Sequence, residues 1–119
     1  MNKAIRLIKS FSYAFKGLIK VFREENNFRI QTFVGFLIII FAYYLKINRF
    51  EWLSLIIVIG LVMLTETLNS AVERVSDVLK PRINTYVKEI KDIMAAAVML
   101  SAIIAILVGI IIFLPYIKN

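Results

Sequence analysis

The sequence contains no cysteine and no histidine. The lack of cysteine excludes a disulfide framework and a thiolate metal site, and the lack of histidine excludes the most common metal ligand and general base. Any acid–base or metal chemistry must therefore use carboxylates, lysines, asparagines and water. The sequence also has no Gly-x-x-x-x-Gly-Lys-Ser/Thr stretch, which excludes a P-loop nucleotide site. It lacks both the glycine-rich loop and the catalytic loop of protein kinases, which excludes a protein-kinase site.

Charged residues are scarce as well. Only 19% of the 119 residues are charged and 61% are hydrophobic, whereas a soluble domain is about half apolar and about a quarter charged. This composition predicts a membrane protein, and no repeat or linker divides it, so residues 1–119 form one domain. Basic residues are spread over the first 23 positions, which predicts no cleavable signal peptide. The net charge of +7 favours an anionic lipid surface or a phosphate-bearing ligand over nucleic acid.

Residues 3–23 alternate basic and apolar groups at helical spacing. This pattern is typical of an amphipathic helix that lies in the membrane surface and does not cross it. Arg6 and Tyr13 are seven positions apart and share one side of that helix, where they could reach a ligand. Simple anchoring is the alternative role of the segment.

Three apolar runs follow a polar hinge at residues 24–31, and they predict spans at about 28–45, 52–79 and 91–114. Trp52 marks a membrane interface, and the second helix extends into the cytoplasm until Pro81 ends it. A polar connection over residues 80–90 leads to the third span. Basic residues are densest before the first span and between the second and third spans, so the positive-inside rule places both regions in the cytoplasm and the C-terminus outside.

The chain is organised around the stretch from Glu66 to Asp77. On a helix, Glu66, Asn69, Glu73 and Asp77 fall within a sector of roughly 80°. The end of a helix protruding from the membrane would explain the last two acids. It does not explain Glu66, which has leucines on the adjoining turns at membrane depth, where an acid is costly and marks a candidate functional site. The topology brings further polar residues to the same cytoplasmic interface, namely Glu25, Lys91 and Asp92.

This set of residues suits phosphoryl transfer at the membrane surface. Carboxylates suit Mg²⁺, a lysine suits phosphate oxygens, and a partly buried Glu66 is a plausible general base toward a lipid hydroxyl. A small cation transporter that uses Glu66 as its protonatable acid remains a second hypothesis, and a purely structural membrane protein is a third.

The motifs resemble those of a known family. They are Glu66-x-x-Asn69-Ser70-Ala71-Val72-Glu73-x-x-x-Asp77, Lys91-Asp92 followed by Ala95-Ala96-Ala97-Val98, Tyr13-x-x-Lys16-Gly17-Leu18, and Glu25-x-x-Phe28-Arg29. Together they resemble the signature of the bacterial diacylglycerol kinase and undecaprenol kinase family over nearly the full chain. The resemblance implies an all-α integral membrane lipid kinase with three transmembrane helices and an N-terminal amphipathic surface helix, assembled as a homotrimer in the bacterial inner membrane with its active site at the cytoplasmic face.

The resemblance also implies roles for individual residues. Glu66 would accept the proton of the lipid hydroxyl, and Mg²⁺ would be held against the phosphates of ATP by two acids. The implied metal ligands are Glu25 and Glu73, the implied contacts to the β- and γ-phosphates are Asn69 and Lys91, and the other implied nucleotide-binding residues are Arg6, Tyr13, Asp77 and Asp92, the last of which could instead brace Lys91. A neighbouring subunit would complete the site.

Two sequence details bear on the substrates. Pro81-Arg82-Ile83-Asn84 stands where many relatives carry an acidic residue and a histidine near the nucleotide, which indicates different contacts to the adenosine part. The stretches Asn27-Phe28-Arg29-Ile30, Glu51-Trp52 and Phe113-Leu114-Pro115 look more like those of the undecaprenol kinases of Gram-positive bacteria. We therefore predict undecaprenol as the preferred lipid, with diacylglycerol as the alternative.

Overall fold

The computed structural model describes residues 2–79 and 84–118, and all regular structure in them is α-helical. The four helices are α1 (Lys3–Glu24), α2 (Asn26–Leu45), α3 (Arg49–Leu79) and α4 (Asn84–Lys118). Three stretches are long and apolar enough to cross a membrane, Asn26–Leu45, Arg49–Leu79 and Thr85–Lys118. The predicted all-α class with three candidate spans is therefore confirmed. The membrane-surface position of α1 and the homotrimer stay predictions.

Helix α1 follows the amphipathic pattern of its sequence. Its first turn is capped by Asn2, whose side-chain oxygen accepts a hydrogen bond from the backbone N–H of Ile5 at 3.0 Å. Phe11 and Phe15 on its apolar side are mostly exposed, and Val21 is its one buried residue. An apolar side without cover from its own chain suits contact with lipid or with another copy.

A single extended residue, Glu25, separates α1 from α2. The guanidinium of Arg29 donates to the carbonyl oxygens of Phe22 and Arg23, at 2.8 and 2.5 Å. These bonds satisfy carbonyls at the end of α1 that have no partner within the helix. The hinge predicted at residues 24–31 is therefore a one-residue break, and α2 begins at Asn26 instead of about residue 28.

The turn between α2 and α3 is equally short. Lys46 takes the left-handed conformation that ends α2, with φ of 57°. Asn48 and Glu51 then cap α3 reciprocally: the Asn48 N–H donates to Oε1 of Glu51 at 3.0 Å, and the Glu51 N–H donates to Oδ1 of Asn48 at 2.9 Å. Helix α3 thus begins at Arg49, three residues before the predicted start at Trp52.

The apolar core lies near this turn and consists of Ala42, Ile47, Leu55 and Ile112. Helix α3 makes its most extensive contact with α4 and a smaller one with α2. At Gly35 the two helices α2 and α3 come so close that an added Cβ would lie 3.4 Å from Ile59. The core is about 16 Å along α3 from Glu66, at 1.5 Å per residue. It packs the helices together at one end, and polar contacts between helices lie toward the other end.

Helix α4 is longer than the predicted span at 91–114. Residues 84–90, expected in the connection, already belong to α4, and Val87 is buried with 2% of its surface exposed. Hydropathy detects the part of a helix that crosses lipid and misses its polar extension. Pro115 lies in the last turn of α4, where it has no N–H to donate to the carbonyl oxygen of Ile111, so α4 loses one backbone hydrogen bond shortly before it ends. Residues 80–83 lie outside the described part of the chain, and with them the predicted stop at Pro81 and most of the divergent Pro81–Asn84 segment.

Candidate active site

Glu66 is buried in α3, with 8% of its surface exposed. Its Oε1 atom accepts a hydrogen bond of 2.9 Å from the side-chain Nε2 of Gln31 on α2. This neutral amide is the only side chain found to hydrogen-bond Glu66 among the described residues. A buried carboxylate that is held by one neutral donor suits the role of a general base, which must point an oxygen atom at the proton that it takes.

One turn further along α3, Asn69 and Glu73 are joined. The Asn69 Nδ2 donates to Oε1 of Glu73 at 3.3 Å, and both side chains are half-buried. Because α3 is unbroken from Arg49 to Leu79, Glu66, Asn69 and Glu73 follow one another along one side of the helix, as their spacing predicts.

Glu25 approaches the same turns of α3 from the α1–α2 break. Its Oε1 accepts a hydrogen bond from the Ser70 hydroxyl at 3.1 Å and lies 3.5 Å from Nη1 of Arg74. Ser70 and Arg74 flank Glu73 in the sequence, so the structure brings both predicted metal ligands to one region of α3. Arg74 also pairs with Glu24 at 2.6 Å. Hydrogen bonds from Lys20 and then from Arg74 hold the pKa of Glu24 below its ordinary value of 4.5.

Lys91 reaches the polar end of α3 from α4. Its Nζ lies 3.4 Å from Oδ1 of Asp77. Asp92 pairs with Lys88, one turn before it on the same helix, at 3.0 Å, and makes no ion pair with Lys91 in the described part of the chain. Side chains four positions apart on a helix are neighbours, which explains why Asp92 pairs with Lys88.

Arg6 and Tyr13 lie apart from these carboxylates. Both are exposed on α1, and the Nζ of Lys16 sits 5.8 Å from the centre of the Tyr13 ring. Within the described part of the chain, no side-chain hydrogen bond connects either residue to α3 or α4. The structure of one chain therefore does not bring these two predicted nucleotide-binding residues into the site.

Residues 2–79 and 84–118 contain no cluster of three or more acidic side chains placed to hold a metal. This is compatible with Mg²⁺, which usually takes one or two carboxylates from the protein and fills its shell with water and substrate phosphates. Glu25 and Glu73 supply two carboxylates of the required kind. Their role as metal ligands stays a prediction, as do the roles of the other predicted site residues.

Sequence reasoning missed Gln31 and Arg74 as parts of this region. Gln31 is the last residue of the polar hinge predicted at residues 24–31, and it is also the last amide before the apolar part of α2. It also borders an apolar groove of about 620 Å³ between α2, α3 and α4, and among the residues that line the groove it alone is polar. Arg74 is one of the basic residues near the end of the second span, and its position in the sequence does not reveal that it pairs with the α1–α2 break.

Comparison with known proteins identifies the family. Residues 12–113 match the profile of the prokaryotic diacylglycerol kinase family. The chain is 31% identical over 114 residues to the undecaprenol kinase of Bacillus subtilis (strain 168), which covers 96% of this chain and 93% of the relative. It is 32% identical over 102 residues to the diacylglycerol kinase of Escherichia coli (strain K12), covering 86% and 84%.

A diacylglycerol kinase of Synechocystis is 38% identical over 113 residues, which is 94% of this chain and 65% of that relative. The family match spans far more than half of the 119 residues, and the three apolar helices fit a bacterial multi-pass membrane protein. The chain therefore belongs to the prokaryotic diacylglycerol kinase family and is a membrane lipid kinase.

Proposed function

We propose that this protein transfers the γ-phosphoryl group of ATP to the hydroxyl of a membrane lipid alcohol, with undecaprenol preferred and undecaprenyl phosphate as the product. The observation that carries the proposal is the buried Glu66 on a membrane-spanning helix, held by a neutral amide and followed by Asn69 and Glu73 on the next turns. The buried position of Glu66 supports its role as a base at the depth where a lipid hydroxyl lies. Membership in a lipid kinase family favours this activity over the cation transporter.

The proposed reaction uses the site residues in distinct roles. Glu66 takes the proton of the lipid hydroxyl while the oxygen of that hydroxyl bonds to the γ-phosphorus of ATP. The bond between the γ-phosphorus and the oxygen that stays with ADP breaks. Asn69 and Lys91 hold the β- and γ-phosphates. Glu25 and Glu73 hold Mg²⁺, which when bound neutralises the phosphate charge. Further nucleotide contacts are assigned to Arg6, Tyr13, Asp77 and Asp92.

Undecaprenol is preferred because the undecaprenol kinase of Bacillus matches this chain almost end to end. Diacylglycerol is the second candidate substrate, because the family description and several relatives carry that name. Both lipids present a hydroxyl at the membrane interface, so the same base can serve either. The proposed location is the bacterial cytoplasmic membrane, with the site at the cytoplasmic face.

We further propose that the protein acts as a homotrimer. Large apolar side chains on all four helices are exposed in the single chain. Arg6 and Tyr13 also lie away from the carboxylates of their own chain. A neighbouring subunit that packs against α3 and α4 with its own α1 would supply these two side chains to the site.

The test is transfer of labelled γ-phosphate from Mg-ATP in lipid, with undecaprenol and diacylglycerol offered separately. The wild type should label a lipid, and Glu66→Gln should lower the rate by at least about a hundredfold, as for loss of a general base. Glu89→Gln on α4, which removes an exposed acid, should match the wild type. Absence of labelling by a folded wild type, or full activity in Glu66→Gln, would contradict the proposal, and proton-coupled cation flux without ATP would favour a transporter.

A further inference from the structure

The contact between Gln31 and Glu66 joins two helices at the centre of the candidate site. The residues are 35 positions apart, and their side-chain atoms Nε2 and Oε1 lie 2.9 Å apart. The other end of the Gln31 amide is unusual: its Oε1 atom is buried and accepts no hydrogen bond from the described residues. A buried carbonyl oxygen without a donor costs free energy. Its presence beside Glu66 therefore indicates that the amide has a role besides the single hydrogen bond that it donates.

The chemistry of a base at this position explains the choice of an amide. A lysine or arginine would fix the carboxylate equally well, but a fixed positive charge would oppose its protonation. An apolar side chain would leave the carboxylate free to rotate. An amide orients the carboxylate by one hydrogen bond and carries no net charge, so it restricts the geometry of Glu66 without placing a fixed charge beside it.

We propose that Gln31 is a positioning residue for Glu66 that serves both of its protonation states, an inference that rests on the proposed kinase function. Before transfer, Nε2 donates to the Glu66 carboxylate, as in the structure. After Glu66 has taken the proton of the lipid hydroxyl, a half-turn of the amide presents Oε1 to the new O–H group. The atom that lacks a donor in the structure is the acceptor held for that second state.

A purely structural clamp between α2 and α3 is the competing explanation. The neighbouring pair Thr65 and Ser101 shows what such a clamp looks like: their hydroxyl oxygens lie 2.8 Å apart and join α3 to α4, and Ser101 also donates to the carbonyl of Val98. Among the hydrogen bonds of the described residues, neither hydroxyl is joined to Glu66. Ser101→Ala is therefore a matched control, because it removes a buried interhelical hydrogen bond one residue away from the base.

The experiment compares Gln31→Met, which keeps the size of the side chain and removes the amide, with the wild type and with Ser101→Ala. We expect Gln31→Met to lower kcat by about ten- to a hundredfold, the effect of a misplaced catalytic group, with the KM values for Mg-ATP and lipid within about twofold. Ser101→Ala should lower the melting temperature in detergent and leave kcat within about twofold, since it affects only packing.

A second background separates positioning from packing. Glu66→Asp retains a carboxylate but withdraws it from Gln31, so Gln31→Met should cost little further activity there, because residues that act as a unit are not additive. An equal loss in both backgrounds, or an unchanged kcat in Gln31→Met, overturns the proposal. Gln31→Asn, whose amide is too short for the 2.9 Å contact, should show the same loss and replaces Gln31→Met if that variant does not fold.

The activity of the wild type distinguishes failure of the proposed kinase function from failure of the proposed role of Gln31. If it labels no lipid, the proposed kinase function fails and the role of Gln31 fails with it. If it labels a lipid and Gln31→Met does so at the same rate, the kinase function stands and the role of Gln31 alone is refuted.

Discussion

The hydroxyl of Ser70 donates a 3.1 Å hydrogen bond to Glu25, although the two residues are 45 positions apart in the sequence. This contact holds the break between α1 and α2 against α3. Arg74 strengthens it through Glu24 at 2.6 Å and Glu25 at 3.5 Å. Helix α1 is thereby attached to the turns of α3 that carry Asn69 and Glu73.

Replacing Arg74 by methionine should loosen this attachment. We expect amide hydrogens of residues 20–28 to exchange about three- to tenfold faster, an effect in line with partly exposed ion pairs. Because the pKa of Glu24 is lowered, the difference from the wild type should be complete above pH 4.5 and shrink as the pH falls through the lower folded value. Lys20→Met is the control, since it removes a pair within α1 and leaves the contact to α3. Equal exchange in wild type and Arg74→Met would contradict the attachment.

The metal assignment predicts a change in the Mg²⁺ requirement. Glu25→Gln and Glu73→Gln should each raise the Mg²⁺ concentration for half-maximal activity by about tenfold or more, because each removes one of the two carboxylates assigned to the metal. Activity is measured over a Mg²⁺ titration at constant ATP. Glu89→Gln should leave the titration unchanged. If the two site variants lose activity without any shift in the titration, these acids serve the reaction in another way.

Lys91 and Lys88 form a matched pair on α4. Both make an ion pair with an aspartate, Lys91 with Asp77 and Lys88 with Asp92, but only Lys91 reaches across to α3. If Lys91 contacts the phosphates, Lys91→Met should lower kcat/KM for ATP by about a hundredfold or more, as loss of a charge at a transferring phosphoryl group does. Lys88→Met should change it by less than about threefold, within the effect of an exposed pair. Similar losses in both would indicate a general need for positive charge.

The helices were predictable because their signals are local. Alternation of basic and apolar groups gives α1, and apolar runs give the three spans, although the third predicted span begins at residue 91 and α4 already begins at Asn84. The break at Glu25 was predicted too long, because a polar composition indicates an interface and does not say how many residues leave the helix. Residues 84–90 were assigned to a loop for a similar reason: a helix that leaves the membrane becomes polar without ending.

The side-chain contacts of the site were less predictable. Periodicity placed Glu66, Asn69, Glu73 and Asp77 on one side of a helix, because that depends on one helix alone. The pairing of Gln31 with Glu66 depends on how α2 and α3 are rotated against each other, which the sequence of either helix does not fix. The same holds for Arg74 and the α1–α2 break.

The far end of the molecule offers a test that is independent of catalysis. The Tyr116 hydroxyl donates to Glu51, the residue that caps α3 with Asn48, and so connects the last turn of α4 to the first turn of α3.

The Tyr116 hydroxyl should therefore stabilise the fold through its hydrogen bond to Glu51. We expect Tyr116→Phe to lower the melting temperature in detergent by a few degrees, the effect of losing one interhelical hydrogen bond. Tyr43→Phe, which alters a tyrosine with 79% of its surface exposed, should melt with the wild type. An unchanged melting temperature in Tyr116→Phe would contradict this contribution, because the substitution keeps the ring and removes only the hydroxyl that reaches Glu51.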